Sequence, residues 1–228
     1  MDEHKFCLKN ISAEKISSFQ HLAAEFFNIY GRKDLKWRKT SDPWKILLAE
    51  ILLRKTTARQ VIPVYTELEV LSLRELADIP EEILENILKP LGIYRERARL
   101  IKKTAQIVLE AGIDKLEDEQ FLLSLPGIGP YAANAVLCFA FDKAKPALDR
   151  NMIRIIERVF SIQSSKSRPH TDKRLWYFAE KLVPDKEPKF FNWGILDLSD
   201  MLCRPRNPKC PECPLTHICD FADTLHQS

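Results

Sequence analysis

Apolar residues recur at helical spacing along almost the whole chain. Ile16, Phe19, Ala23, Phe26 and Tyr30 fall three or four positions apart, and Gly31 follows as a stop signal. Trp44 to Leu53 predicts a strongly apolar helix, and Val61, Tyr65 and Leu68 carry the pattern into the next one. Ser72 and Glu75 have capping-box spacing, and Pro80 suits a first helical position. Tyr94 to Ala111 predicts a longer helix closed by Gly112. Further helices fit 118–124, 130–141, 150–160, 171–183 and 189–202, and no run alternates as a strand would. The fold class expected is all-α.

The 228 residues, 45% of them apolar, suffice for a real core in one domain or two small ones. The longest apolar runs, Ile46–Ala49 and Ile51–Leu53, are split by Glu50 and fall far short of the roughly 20 residues a bilayer needs. Met1-Asp2-Glu3-His4-Lys5-Phe6 lacks the pattern of a secretory leader, so a soluble cytoplasmic protein with no membrane partner is expected. A net charge of +3 is a poor argument for nucleic acid. Distribution says more: Arg95, Arg97, Arg99, Lys102 and Lys103 crowd one segment, and Arg150, Arg154 and Arg158 share one helix face. That face could track phosphates, or simply be solvated.

Near the carboxyl end, Cys203, Cys210, Cys213 and Cys219 give C-x6-C-x2-C-x5-C. Without a mark of export, thiols this close point to a metal rather than to disulfides. Zinc usually takes two short pairs, and only Cys210 and Cys213 form one; an iron–sulfur cubane and structural zinc both stay open on spacing. Pro205, Pro208, Pro211 and Pro214 stiffen the loop. Arg204, Arg206 and Lys209 could contact phosphate or offset thiolate charge, while Cys7 and Cys138 read as ordinary thiols.

Leu125-Pro126-Gly127-Ile128-Gly129 lies between two helical segments. Glycines permit a tight turn there, and the exposed start of the next helix offers unpaired amides to a phosphate. Alone, such a motif is usually only a turn.

Three motifs in order change that. Leu-Pro-Gly-Ile-Gly-Pro-Tyr at 125–131, Leu-Asp-Arg-Asn at 148–151 and the cysteine spacing together resemble the endonuclease III and MutY superfamily of helix-hairpin-helix DNA glycosylases, from about Trp37 to Cys219. The resemblance implies a six-helix domain with the hairpin at 34–146. It implies a second domain from 1–33 and 147–228 carrying a [4Fe-4S] cluster at 203–219, with DNA in the cleft between. It also implies a monomeric, nucleoid-associated enzyme acting on double-stranded DNA that holds a mismatched or damaged base.

Cleaving an N-glycosidic bond develops positive charge on the sugar and negative charge on the base. In the superfamily an aspartate at the place of Asp149 meets the first; locally it would also cap the helix starting near Arg150, whose amides should keep it ionised. Asn151 resembles the supporting asparagine of the MutY-like branch. Glu50, in an apolar stretch that should raise its pKa, is the candidate acid, with a pair to Arg54 as the plain alternative. Tyr131 stands where the bifunctional branch carries a lysine, so base removal without strand cleavage is expected.

Within the superfamily, Ala49-Glu50-Ile51-Leu52-Leu53-Arg54-Lys55-Thr56-Thr57 resembles the Mig-type thymine/uracil mismatch glycosylases, where MutY usually has glutamines in place of Arg54 and Lys55. The chain also ends soon after Cys219, short of the domain with which MutY reads 8-oxoguanine. Excision of thymine or uracil opposite guanine is therefore expected, with MutY-type adenine excision as the alternative. Arg54, Lys55 and Thr56 are candidates to contact the orphan base, as are Leu125, Gly127, Ile128 and Gly129 to hold the backbone. Trp193 could stack on a flipped base or fill core.

Overall fold

The computed structural model describes residues 11–226; Cys7 and the Met1–Phe6 stretch read above lie outside them. Among the described residues the fold is all-α, with no strand. The helices are α1 (Ala13–Tyr30), α2 (Pro43–Leu53), α3 (Ala58–Leu68), α4 (Leu73–Asp78), α5 (Glu81–Leu88), α6 (Tyr94–Ala111), α7 (Glu119–Ser124), α8 (Pro130–Phe141), α9 (Arg150–Phe160), α10 (Lys173–Leu182), α11 (Pro188–Met201) and α12 (Asp220–His226). None of them is long and apolar enough to cross a membrane.

Several boundaries are written in cap chemistry. Ser72 and Glu75 form the expected capping box on α4, and Thr57 with Gln60 makes a second one on α3. Pro80 caps α5 rather than entering it: its extended ψ of 132° cannot begin a helix, so α5 starts at Glu81. The helix expected over 171–183 is a short 3-10 turn, Pro169–Thr171, followed by α10, because the Asp172 carboxylate caps the amide of Arg174. Helix α12, too polar and short to show a periodic pattern, was not foreseen.

The chain divides into two compact units, Lys33–Phe141 and the remainder on either side of it. In the first, α2 and α8 pack together; each is buried around nearly its whole circumference, so each belongs at the centre. Helix α6 is amphipathic and lays its apolar face against α4 and α5.

In the second unit α1 packs on α11, closely enough that a Cβ on Gly194 would lie 1.9 Å from the Ala23 carbonyl oxygen. Only glycine fits there. Phe19 meets Phe160 and Phe191 edge-on at 5.1 and 5.6 Å, and Phe160 meets Phe178 at 5.2 Å. Each such ring, fully buried, contributes about 1.5–3 kcal/mol. Met152, Ile155, Ile156 and Val159 set the apolar face of α9 into this core. The opposite face of α9 is thereby turned toward the polar groups described next.

Candidate active site and cysteine centre

An extended segment, residues 142–149, runs into α9 and places Asp149 at its N-cap. The Asp149 Oδ1 accepts from the backbone N–H of Asn151 and of Met152, each at 2.8 Å, and Oδ2 accepts from Asn151 Nδ2 at 2.7 Å. Both oxygens are thus held. The Asn151 Oδ1 in turn accepts from Arg154 Nη2 at 3.1 Å. Although the residue keeps some exposed surface, burial is the strongest influence on its carboxyl and pushes it above the ordinary aspartate value. The amides of Met152 and Asn151, the Asn151 side chain and the Arg154 charge oppose this without cancelling it. Helix-start amides alone suggested the opposite balance; they are present, and desolvation outweighs them.

Of the arginines on that face of α9, Arg150 is exposed, whereas Arg154 and Arg158 are neither free to track phosphates nor merely solvated. Arg154 donates to the carbonyls of Cys203 (2.8 Å) and Ser199 (3.2 Å), and Arg158 to those of Arg204 (2.8 Å) and Pro205 (3.2 Å). Arg158 also reaches the Cys203 sulfur at 3.2 Å and lies over the Phe221 ring. These side chains brace the cysteine loop from inside. Beside them opens a groove of about 740 Å3 lined by Asn151, Arg154, Ser199, Arg204 and Arg206. Lys209 pairs with Glu212.

Cys203, Cys210, Cys213 and Cys219 line one small pocket of about 20 Å3. Thr216 clasps the loop by donating to the carbonyls of Cys210 and Cys213. Burial first, with the neighbouring sulfurs adding to it, raises the thiols of Cys210, Cys213 and Cys219, that of Cys213 to about 12. Such thiols keep their protons unless a metal's positive charge replaces them. Four thiols lining one pocket are the donor set an iron–sulfur cubane takes.

In the other unit, Glu50 lies on α2 with only 6% of its surface exposed, among Ile46, Leu47 and Ile51. The turn after α2 carries Arg54 and Lys55, both exposed, with Lys55 in the left-handed region at φ 56°. Thr56 returns its hydroxyl to the Leu52 carbonyl. What fixes this turn is Arg97, buried to 6% exposure: it donates to the carbonyls of Ile51, Leu52 (3.1 Å) and Arg54 (3.0 Å). Sequence reading counted Arg97 in a basic cluster and missed its inward aim, although an arginine beside Ala98 on the apolar side of α6 was a signal. Its neighbours are tied down too, Arg99 by Glu81, Arg95 by Glu85 and Lys102 by the Ile79 carbonyl.

The hairpin motif divides by role. Leu125 and Ile128 point into the core, and Gly127 takes φ 70°, with the Arg54 side chain lying across it. A Cβ on Gly129 would meet nothing, so the chain itself does not demand glycine there. Tyr131 stands, part-buried, in the first turn of α8. Trp193 is placed in the core rather than in an open pocket: it is 6% exposed, with the Phe27 ring at 5.3 Å and the Phe190 ring at 6.0 Å.

Residues 48–181 match the family of HhH-GPD superfamily base excision DNA repair proteins, and residues 203–219 match the iron-sulfur binding domain of endonuclease III. A thymine/uracil-DNA glycosylase of Pyrobaculum aerophilum is 45% identical, the match covering 90% of this chain and 92% of that one. A thymine-DNA glycosylase of Aeropyrum pernix is 44% identical over 91% and 95% of the two chains. The solved structure of a thermostable thymine-DNA glycosylase superposes with a TM-score of 0.84 at 34% identity, covering 92% of this chain and 98% of its own.

Proposed function

The chain belongs to the HhH-GPD superfamily of base excision DNA repair proteins, and from that premise we propose that it is a monofunctional DNA glycosylase removing thymine or uracil opposite guanine. The observation that carries this reading is Asp149, a carboxylate with both oxygens fixed at the start of α9. In the reaction the bond from the anomeric carbon to the base breaks and its electron pair leaves with the base. The Asp149 carboxylate stabilises the sugar cation, the departing base takes up a proton, and water adds to the anomeric carbon and releases the proton that restores the donor. Glu50, buried on an apolar helix, is the proton source. Tyr131 offers a phenol where a lyase needs an amine; a phenol forms no Schiff base, so the product is an intact strand with an abasic site.

Cys203, Cys210, Cys213 and Cys219 hold the [4Fe-4S] cluster, which fixes the loop whose carbonyls Arg154 and Arg158 grip. The partner is DNA. A mispair lowers the cost of extruding the target base, and the open space at Gly129 admits a backbone phosphate close to the start of α8. Arg54 and Lys55, exposed on their braced turn, face the orphan guanine. The relatives named above, matched over nearly their whole length, act by name on thymine or uracil, which supports this choice of base. The enzyme acts as a monomer.

The test uses labelled duplexes carrying T·G, U·G, A·G and A·8-oxoguanine, each incubated with the protein and then treated with alkali. Breaks at T·G and U·G alone are expected. Breaks at the adenine pairs with T·G intact would overturn the assignment.

A further inference from the structure

The Asp149 carboxylate can only act if the chain entering α9 is held in register, and that chain, residues 142–149, has no helix or strand to hold it. Pro146, Ala147 and Leu148 are buried nonetheless, so their backbone polar groups need partners. One side chain supplies a partner within this stretch and another to the residue just before it. Asn192, on α11 and 0% exposed, accepts from the Ala147 N–H at 2.8 Å and donates from Nδ2 to the Lys145 carbonyl at 3.1 Å. An amide that bonds the C=O of one residue and the N–H two residues on does what a neighbouring β-strand would do.

The orientation of this amide is not free. Its second Nδ2 hydrogen goes to the Pro188 carbonyl at 2.9 Å, one turn back on α11, so a flip would oppose donor to donor at Ala147 and acceptor to acceptor at both carbonyls. Ala147 then passes the constraint on, because its carbonyl accepts from the Asp149 N–H at 2.9 Å. Two hydrogen bonds thus link the Asn192 amide to the backbone of Asp149.

We infer that Asn192 is a positioning residue for the excision reaction, acting as a one-residue strand partner that sets the register of Asp149. The inference rests on the role proposed for Asp149. A displacement near 1 Å at a reacting group costs on the order of a hundredfold in rate. Loss of the amide is therefore expected to slow bond cleavage far more than DNA binding.

The experiment measures single-turnover excision from a T·G duplex by the cluster-loaded full chain, as wild type, Asn192→Ala, Asn192→Ser and Asp149→Asn. Affinity for the same duplex and exchange of the Ala147 amide are followed alongside. Asn192→Ala is expected to lose about 30- to 100-fold in the cleavage rate, to bind DNA within about threefold of wild type, and to exchange the Ala147 amide faster. Asn192→Ser, which keeps a hydroxyl for one of the bonds, is expected to fall between; it carries the test if Asn192→Ala does not fold. A soluble Asn192 variant cleaving within twofold of wild type, while Asp149→Asn is inactive, overturns the inference and leaves the Asp149 role intact. Activity retained by Asp149→Asn instead overturns that role, and the inference with it.

Discussion

The two carboxylates of the candidate site, Asp149 and Glu50, are set in their units by opposite means. Asp149 sits in a polar setting: two amides and the Asn151 side chain take its oxygens, and Arg154 stands behind Asn151. Glu50 sits on a helix whose neighbouring side chains are almost all aliphatic and buried, and the order around it comes from Arg97 gripping the helix end. The first arrangement limits how far burial can push a carboxyl toward its neutral form. At Asp149 burial is opposed by amides, the Asn151 side chain and the Arg154 charge, whereas Glu50 lies on an aliphatic helix; in the mechanism proposed above the first stabilises the sugar cation and the second supplies the proton.

The largest effect should come from neutralising the first. Asp149→Asn is expected to lower excision by about a thousandfold or more while leaving DNA affinity in place. Stability should not suffer with it. Burial raises the Asp149 carboxyl, so the fold favours the neutral form, and above that raised pKa the charge costs stability; asparagine keeps the cap without the charge. A melting temperature at or above wild type is the outcome expected in a thermal scan. The second carboxylate should matter less: Glu50→Gln is expected to slow the chemical step by roughly a hundredfold, read in single turnover. A wild-type rate would reduce Glu50 to a structural residue.

Third in size is Arg97→Met. Three carbonyls lose a charged donor, and a loss of about 2–4 kcal/mol in unfolding free energy is expected by denaturant titration. The smallest effect isolates the polar setting itself. Excision should fall on the acid side through a pKa above the ordinary aspartate value, since the protonated carboxyl cannot stabilise a cation. Arg154 lowers that pKa, so Arg154→Gln should move the acid limb to higher pH, with only a severalfold loss at neutral pH.

Much of this was legible along the chain. The apolar periodicity placed α6, α8 and α9 to the residue, because each is bounded by a glycine, a proline or a capping aspartate. The cysteine spacing marked the metal loop, and the company of the hairpin and Leu148-Asp149-Arg150-Asn151 strengthened iron–sulfur over zinc. Directions of side chains were not legible. Arg97, Arg154 and Arg158 read as surface charge, since spacing says which residues share a face and not which carbonyls wait beneath it. Trp193 stayed open between stacking and core because the Phe27 ring that packs on it comes from α1, far away in the chain. Asn192 drew no notice, because its partners lie 45 and 47 positions away.

The central claim is that a fixed carboxylate hydrolyses a base from its sugar with no amine taking part. The measurement that meets it directly is product analysis of an end-labelled T·G duplex, with and without alkali and with borohydride present. The account predicts free thymine, a strand that breaks only after alkali, and no covalent adduct. A strand already cut before alkali, or protein trapped on DNA by borohydride, would contradict it.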